Sequence, residues 1–214
     1  ALQNLGGIGN VTIVPPGGVP MSTRAFDTGP GVVVIDGVTR IVAPGLSYDD
    51  DGRLARSGMP IEAVVRETLE HPYFASPPPK STGRELFDPA FIGRFIQRCR
   101  DTKPNVTAGD LVATAVALTA ASIADAIRRF VPEPVSELIA SGGGAENPAL
   151  VEAIAQALPS FSVRRFSDVF FDGEAKEAVA FALLGYLHLV REPGNLPSVT
   201  GARGPRVLGQ LTPA

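Results

Sequence analysis

Near its start the chain reads Gln3-Asn4-Leu5-Gly6-Gly7-Ile8-Gly9-Asn10, a glycine turn set inside an apolar segment. Residues 2–14 therefore predict a strand, a glycine turn and a second strand. A second glycine run, Ser141-Gly142-Gly143-Gly144-Ala145-Glu146-Asn147, directly follows the apolar segment Glu137–Ala140, which also predicts a buried strand. Glycine allows positive φ and lets a ligand approach backbone N–H groups, and successive exposed N–H groups suit an anion such as phosphate.

A third element, Phe26-Asp27-Thr28-Gly29-Pro30-Gly31, predicts a carboxylate at the head of a turn. Any one of these three stretches is by itself typical of a tight turn. Their joint occurrence within the first 150 residues favours a nucleotide held between glycine turns.

Composition limits the class of protein. With 214 residues, 44% hydrophobic and 19% charged, the chain is long and apolar enough for a full globular core. The formal net charge of -3 comes from scattered residues, so no basic stripe points to nucleic acid. The single cysteine, Cys99, excludes an internal disulfide and fits a reducing compartment. No apolar run reaches the roughly 18 residues of a membrane span, and Leu111–Ile127 predicts a buried helix of a soluble protein.

Strand and helix patterns alternate along the chain, which predicts an α/β fold. Thr107, three residues before Asp110, predicts a capping box at the start of a long helix. The predicted helices cover Met59–Glu70, Asn105–Arg129, Pro148–Leu158 and Ala175–Leu189, and further extended pieces cover Ser162–Phe166 and Val207–Gly209.

Two segments have competing interpretations. Gly31–Gly37 is apolar and β-branched, which favours a strand, but a helix that starts after the preceding turn competes because Pro30 suits a first helical turn. Asp49-Asp50-Asp51-Gly52 predicts a turn before a helix rather than a calcium loop. An EF-hand needs Glu at its twelfth position, and here that position is Pro60.

Charged candidates for a substrate site lie in the proline-rich loop Ser76–Glu85. Lys80 and Arg84 flank a Ser-Thr-Gly run there, which suits either a plain loop or a clamp on an anion or a sugar. The only histidines, His71 and His188, lie in contexts that do not favour catalysis. No residue of the chain therefore stands out as a general base.

The order of these motifs closely resembles the anhydro-N-acetylmuramic acid kinase family over nearly the whole chain. The resemblance rests on the glycine turns, on Leu118-Thr119-Ala120 and on Lys176–Ala182. Its most specific parts are Ser81-Thr82-Gly83-Arg84-Glu85 and Asn195-Leu196-Pro197-Ser198-Val199-Thr200-Gly201-Ala202. The glycine turns alone would also fit other members of the wider sugar kinase, Hsp70 and actin superfamily.

The resemblance implies a ribonuclease-H-like lobe, with a mixed sheet flanked by helices, in a two-lobed kinase that holds ATP in the cleft between its lobes. It implies that ATP and Mg²⁺ serve to open the 1,6-anhydro ring of anhydro-N-acetylmuramic acid with water while O6 is phosphorylated. The product, N-acetylmuramic acid 6-phosphate, belongs to the cytoplasmic recycling of cell-wall sugars. Family members are also implied to be homodimers.

Roles in the family carry over to residues of this chain as expectations. Asp27 is the expected Mg²⁺ partner, Glu177 the expected catalytic residue, and Lys80 and Arg84 the expected substrate contacts. The expected cofactor-binding residues are Gly6, Gly7 and Asn10 in the phosphate turn, Asp27, Thr28, Gly29 and Gly31 in the central segment, and Gly142, Gly143, Gly144 and Asn147 in the adenosine turn.

The chain departs from the family pattern in places. Val32 stands where the family usually has Asn, and Gly9 where it usually has Ala. The chain starts at Ala1 rather than Met, and the family's first phosphate loop and general-base Asp lie upstream of that point. We therefore expect residues 1–214 to be the C-terminal lobe of a longer kinase and to be inactive alone. The alternatives are a kinase of another anhydro sugar such as levoglucosan, and a truncated, inactive nucleotide-binding paralogue.

Overall fold

A five-stranded sheet organises the fold in the computed structural model, which describes residues 1–15, 17–18 and 22–212. The order of the strands across the sheet is β3-β2-β1-β4-β5. The strands are β1 (Leu2–Leu5), β2 (Ile8–Ile13), β3 (Arg24–Pro30), β4 (Glu137–Ser141) and β5 (Ser162–Arg165).

The direction of the strands brings four of their carboxyl ends to one side of the sheet. β2 is antiparallel to both β1 and β3, whereas β4 is parallel to β1 and β5 is parallel to β4. Strands β1, β3, β4 and β5 therefore end at the same edge, called here the carboxyl edge. This mixed sheet confirms the predicted α/β class, with an antiparallel meander followed by parallel strands.

Helices cover the sheet, and the longest of them forms much of the core. They are α1 (Val33–Val42), α2 (Arg53–Arg56), α3 (Glu62–Leu69), α4 (Pro72–Ala75), α5 (Pro89–Thr102), α6 (Ala108–Phe130), α7 (Pro148–Ala157), α8 (Lys176–Leu189) and α9 (Pro197–Thr200).

Helix α6 begins with the predicted capping box. The Thr107 hydroxyl accepts from the Asp110 N–H, and the Asp110 carboxylate accepts from the Thr107 N–H. The same carboxylate accepts from Lys103 Nζ at 2.7 Å and from the Met59 N–H at 2.8 Å. These donors hold the pKa of Asp110 well below its usual range. A charged, fully bonded Asp110 thus fixes the start of α6 against the segment before α3.

Helix α6 is long and apolar, and its burial is that of a core helix. Among the described residues it is the one helix long and apolar enough to cross a membrane, but 83% of its apolar window is buried inside the domain. Its side chains join the main cluster of buried residues, which includes Leu5 of the sheet, Val34 of α1 and Leu150 of α7.

Most predicted elements are confirmed, and the exceptions have structural reasons. Residues 33–37 are the start of α1, so the helix interpretation is right and the strand interpretation of Gly31–Gly37 is wrong. Asp27 lies within β3 rather than at the head of a turn, because β3 stays paired with β2 as far as Pro30. Helix α5 was not anticipated, and Val207–Gly209 forms no strand.

None of the described side chains of helix α8 is buried, although it is one of the longer helices; the short α9 is the other helix without a buried side chain. Phe181, Tyr186 and Leu189 expose 70%, 61% and 70% of their surface. A helix that is apolar all round is typical of a position covered on every side.

Candidate functional site

Two of the three glycine segments meet at the carboxyl edge through backbone hydrogen bonds. The N–H groups of residues 31–33 donate to the carbonyl oxygens of Gly6 and Gly7 at 2.8 to 3.2 Å. The residue before α1, Val32, provides no side-chain cap. Since the first N–H groups of a helix need acceptors, the β1–β2 turn serves as the cap of α1.

Close approach explains two of the glycines at this edge, Gly31 and Gly144. A Cβ on Gly31 would lie 2.0 Å from the Gly6 oxygen, and a Cβ on Gly144 would lie 2.8 Å from Leu5 Cβ and from Val32 Cγ1. The third glycine segment therefore packs directly onto the first two. Gly142 is different because its φ of 85° lies in the left-handed region, as the sequence predicted for this turn.

A cavity of about 390 Å³ opens beside the third glycine segment. We call it the Tyr48 cavity; Gly143, Gly144 and Asn147 line it together with Val32, and Tyr48 is 59% exposed. The position of a Cβ on Gly143 is open, with no atom within 4 Å. A residue other than glycine at this position would therefore project into free space.

Hydrogen bonds between neighbouring segments hold the far wall of the Tyr48 cavity. Asn147 caps α7 by accepting from the Leu150 N–H at 3.2 Å, and its Nδ2 donates to the Asp49 carbonyl at 3.3 Å. The Asp49 carboxylate accepts from the N–H groups of Leu54 and Ala55. Asp49 is thus the turn residue before a helix that the sequence predicted.

A second cavity, of about 470 Å³, lies on the other side of the same glycine segment. We call it the Asp172 cavity; Ser141, Gly142 and Gly143 line it, with Asp172 and Glu174 opposite. Gly143 and Glu146 border both cavities. The described lining residues of the two cavities include several carboxylates but no lysine or arginine.

One of these carboxylates is electrostatically unusual. Asp36, in the first turn of α1, borders the Tyr48 cavity. Burial raises the pKa of Asp36, and the nearby Arg40 opposes that shift only in part. Burial thus disfavours the charged form of this carboxylate.

Lys176 brings a positive charge to the carboxyl edge, and the sequence analysis did not single it out. Its Nζ donates to Asn4 Oδ1 at 2.9 Å and to Ser141 Oγ at 2.8 Å. The predicted catalytic residue, Glu177, follows it but is exposed, and it borders none of the described cavities. The sequence indicates that the segment Lys176–Ala182 belongs to the site. It does not indicate which of the two adjacent charged side chains, Lys176 or Glu177, faces the sheet.

A second group of predicted residues gathers on β2, β3 and the loop before α5. Asn10, Asp27 and Lys80 border a cavity of about 350 Å³, called here the Asp27 cavity. Asp27 Oδ2 accepts from the Ser81 hydroxyl at 2.7 Å and from the Thr82 N–H at 2.8 Å. The carboxylate thus fixes the Ser-Thr-Gly loop to the sheet.

The charge of Lys80 points into the domain. Its Nζ donates to the carbonyl oxygens of Tyr73 and Phe74 and lies 4.8 Å from the centre of the Phe130 ring. Burial lowers the pKa of Lys80, while Asp125 favours its charged form. Arg84, the other predicted clamp residue, is exposed.

Two predicted cofactor residues lie inside the domain. Thr28 is fully buried, and its hydroxyl accepts from Gln3 Nε2 at 3.3 Å. The place of a Cβ on Gly29 is taken by Phe74 and Ser122. Both residues therefore hold β3 against its neighbours.

Comparisons with known proteins identify the family of the chain. The family model described as "Anhydro-N-acetylmuramic acid kinase" matches residues 1–214. The chain is similar to three proteins that are named anhydro-N-acetylmuramic acid kinase. It is 42% identical to the one from Acaryochloris marina, over 98% of this chain and 56% of the relative. It is 41% identical to the one from Streptomyces coelicolor, over 100% of this chain and 52% of the relative, and 44% identical to the one from Ralstonia nicotianae, over 99% of this chain and 54% of the relative. The chain spans about half the length of these curated relatives.

The contact between the first two glycine segments can be tested with a matched pair of substitutions. Gly31→Ala places a Cβ on the Gly6 oxygen, so we expect a loss of about 2 kcal/mol or more in the free energy of unfolding. Gly7→Ala meets no atom within 4 Å, and its effect is expected to stay within about 0.5 kcal/mol. Urea denaturation followed by circular dichroism measures both. Equal stabilities of the two variants would contradict the tight contact.

Proposed function

Because the chain belongs to the anhydro-N-acetylmuramic acid kinase family, we propose that it is the nucleotide-binding lobe of an ATP-dependent kinase of an anhydro sugar. In this proposal the whole enzyme opens the 1,6-anhydro ring of anhydro-N-acetylmuramic acid with water and phosphorylates O6. The observation that carries the proposal is the convergence of three glycine segments at one sheet edge, beside an open cavity.

In the proposed complex the adenosine of ATP lies in the Tyr48 cavity, against Gly143 and Gly144. The exposed ring of Tyr48 supplies a flat apolar surface at the same cavity. The phosphates extend along the carboxyl edge toward the Gly6-Gly7 turn. This direction follows from the packing of Gly144 on Leu5, which leads directly into that turn.

Mg²⁺ fits the proposal through a single carboxylate. The described residues hold no group of three or more His, Cys, Asp or Glu side chains suited to a metal ion. Mg²⁺ bound to a nucleotide needs no such group, since it keeps several waters and takes one or two protein carboxylates. Asp27 is the proposed partner, because both bonds that it accepts from the Ser81 loop involve Oδ2 alone. When bound, Mg²⁺ would neutralise phosphate charge.

A second lobe is part of the proposal. The relatives are nearly twice as long as this chain, and α8 exposes apolar side chains on all sides. We propose that the rest of the polypeptide covers α8, supplies the general base and places Glu177 at the sugar. The homodimer and the cytoplasmic location stay predictions from the resemblance.

One observation favours an alternative function. Val32 stands where the family usually has Asn, and it leaves α1 without a side-chain cap at the candidate site. A nucleotide-binding paralogue without kinase activity would tolerate this change. A kinase of another anhydro sugar, such as levoglucosan, is also an alternative because related enzymes share these nucleotide loops.

Binding of the nucleotide can be tested at Gly143. Gly143→Val fills open space between the two cavities without a backbone clash. We expect it to raise the dissociation constant for ATP at least tenfold, which corresponds to about 1.4 kcal/mol. Titration of the ¹⁵N-labelled chain followed by NMR measures the constant. Gly93→Val, also at an open position, is the control on α5. A Gly143 variant that binds like the parent would remove this segment from the site.

The proposed role of Asp27 in binding Mg²⁺ can be tested separately from its hydrogen bonds to the Ser81 loop. Asp27→Asn keeps an oxygen for the Ser81 and Thr82 donors but removes the charge. We expect Mg²⁺ to strengthen ATP binding to the parent chain and to lose most of that effect in the variant. Calorimetry with and without Mg²⁺ measures this difference, with Asp101→Asn on the exposed end of α5 as the control. If Mg²⁺ strengthens ATP binding equally in the variant and the parent, Asp27 is not a Mg²⁺ partner and only holds the Ser81 loop.

A further inference from the structure

Lys176 occupies a position that no described carboxylate neutralises. Its ammonium lies between Asn4 and Ser141, which face each other in the paired strands β1 and β4. Ser141 comes directly before Gly142, and only Leu5 separates Asn4 from Gly6. The charge is thus placed between the turn expected at the phosphates and the turn expected at the adenosine.

The other lysines of the chain are used differently. Lys103 pairs with the buried Asp110 carboxylate, and Lys80 donates to two carbonyl oxygens beneath the Ser81 loop. Lys176 has neutral acceptors only among the described residues, and an ammonium carries three donors. One donor therefore stays available to a ligand at the edge.

The surrounding charges make this cation important for an anionic ligand. The two cavities beside the third glycine segment have carboxylates in their linings but no lysine or arginine. Among the arginines near these carboxylates, Arg53 pairs with Asp50 and Arg165 pairs with Glu146 and Asp168, while Arg40 lies near Asp36 and donates to the Ser47 carbonyl. A polyphosphate would meet net repulsion at this edge unless a positive charge faced it.

We propose that Lys176 is a phosphate contact of the nucleotide site. Its ammonium keeps Asn4 and Ser141 in place and donates its third hydrogen to an oxygen of the phosphate chain. This inference rests on the proposed function and adds a residue and a charge to it. It also gives α8 a role at the site, because the helix begins with Lys176.

The test compares ligands with and without phosphate. Lys176→Met keeps the length and the apolar stem of the side chain but removes its charge. We expect it to weaken ATP binding about tenfold and to leave adenosine binding within twofold of the parent, as measured by NMR titration of the labelled chain. Arg100→Met on α5 removes one positive charge from an exposed position and is the control. Lys176→Arg should recover part of the ATP affinity.

The outcomes separate this inference from the proposed function. Equal losses for ATP and adenosine would make Lys176 a structural tie only, and unchanged binding of both would remove it from the site. Either result overturns the inference and leaves the nucleotide site standing. A parent chain that binds neither ligand would overturn both. If Lys176→Met unfolds, Lys176→Gln decides the question through the same comparison of ATP with adenosine.

Discussion

The rest of the site depends on the carbonyl oxygens of Gly6 and Gly7, which accept from the N–H groups of residues 31–33 where α1 begins. This contact is possible only because Gly31 has no side chain, since a Cβ there would overlap the Gly6 oxygen. Once α1 is fixed to the β1–β2 turn, Val32 and Leu5 form the surface on which Gly144 packs. Two cavities and the start of α7 then follow from the position of the third glycine segment.

The electrostatics of the edge follow from the same arrangement. The donors at the N-terminus of α1 are partly satisfied by the turn, so α1 offers less to an anion than a free helix start would. Carboxylates border both cavities, and the pKa of Asp36 is raised by burial. The proposed source of positive charge for a nucleotide is therefore Lys176, which lies at the start of α8 and outside the glycine segments.

Sequence patterns predicted the local structure well where the determinants are local. The Thr107–Asp110 capping box and the glycine turns at residues 6–7 and 142 are examples. Sequence patterns predicted the structure incorrectly where contacts between residues distant in the chain determine it. The β-branched run at residues 33–35 begins a helix, and the Val33 N–H donates to Gly7 in a turn 26 residues earlier. Thr28 and Gly29 pack inward because β3 is paired to its end. Lys176 contacts residues 172 and 35 positions away, a proximity that no local pattern contains.

The most direct test of the account is a map of backbone amide shifts as ATP is added to the ¹⁵N-labelled chain. We expect residues 6–7, 31–33 and 142–144 to shift together, with one dissociation constant, because the three segments form a single surface. Shifts confined to the Asp27 cavity, or segments that titrate with different constants, would contradict it.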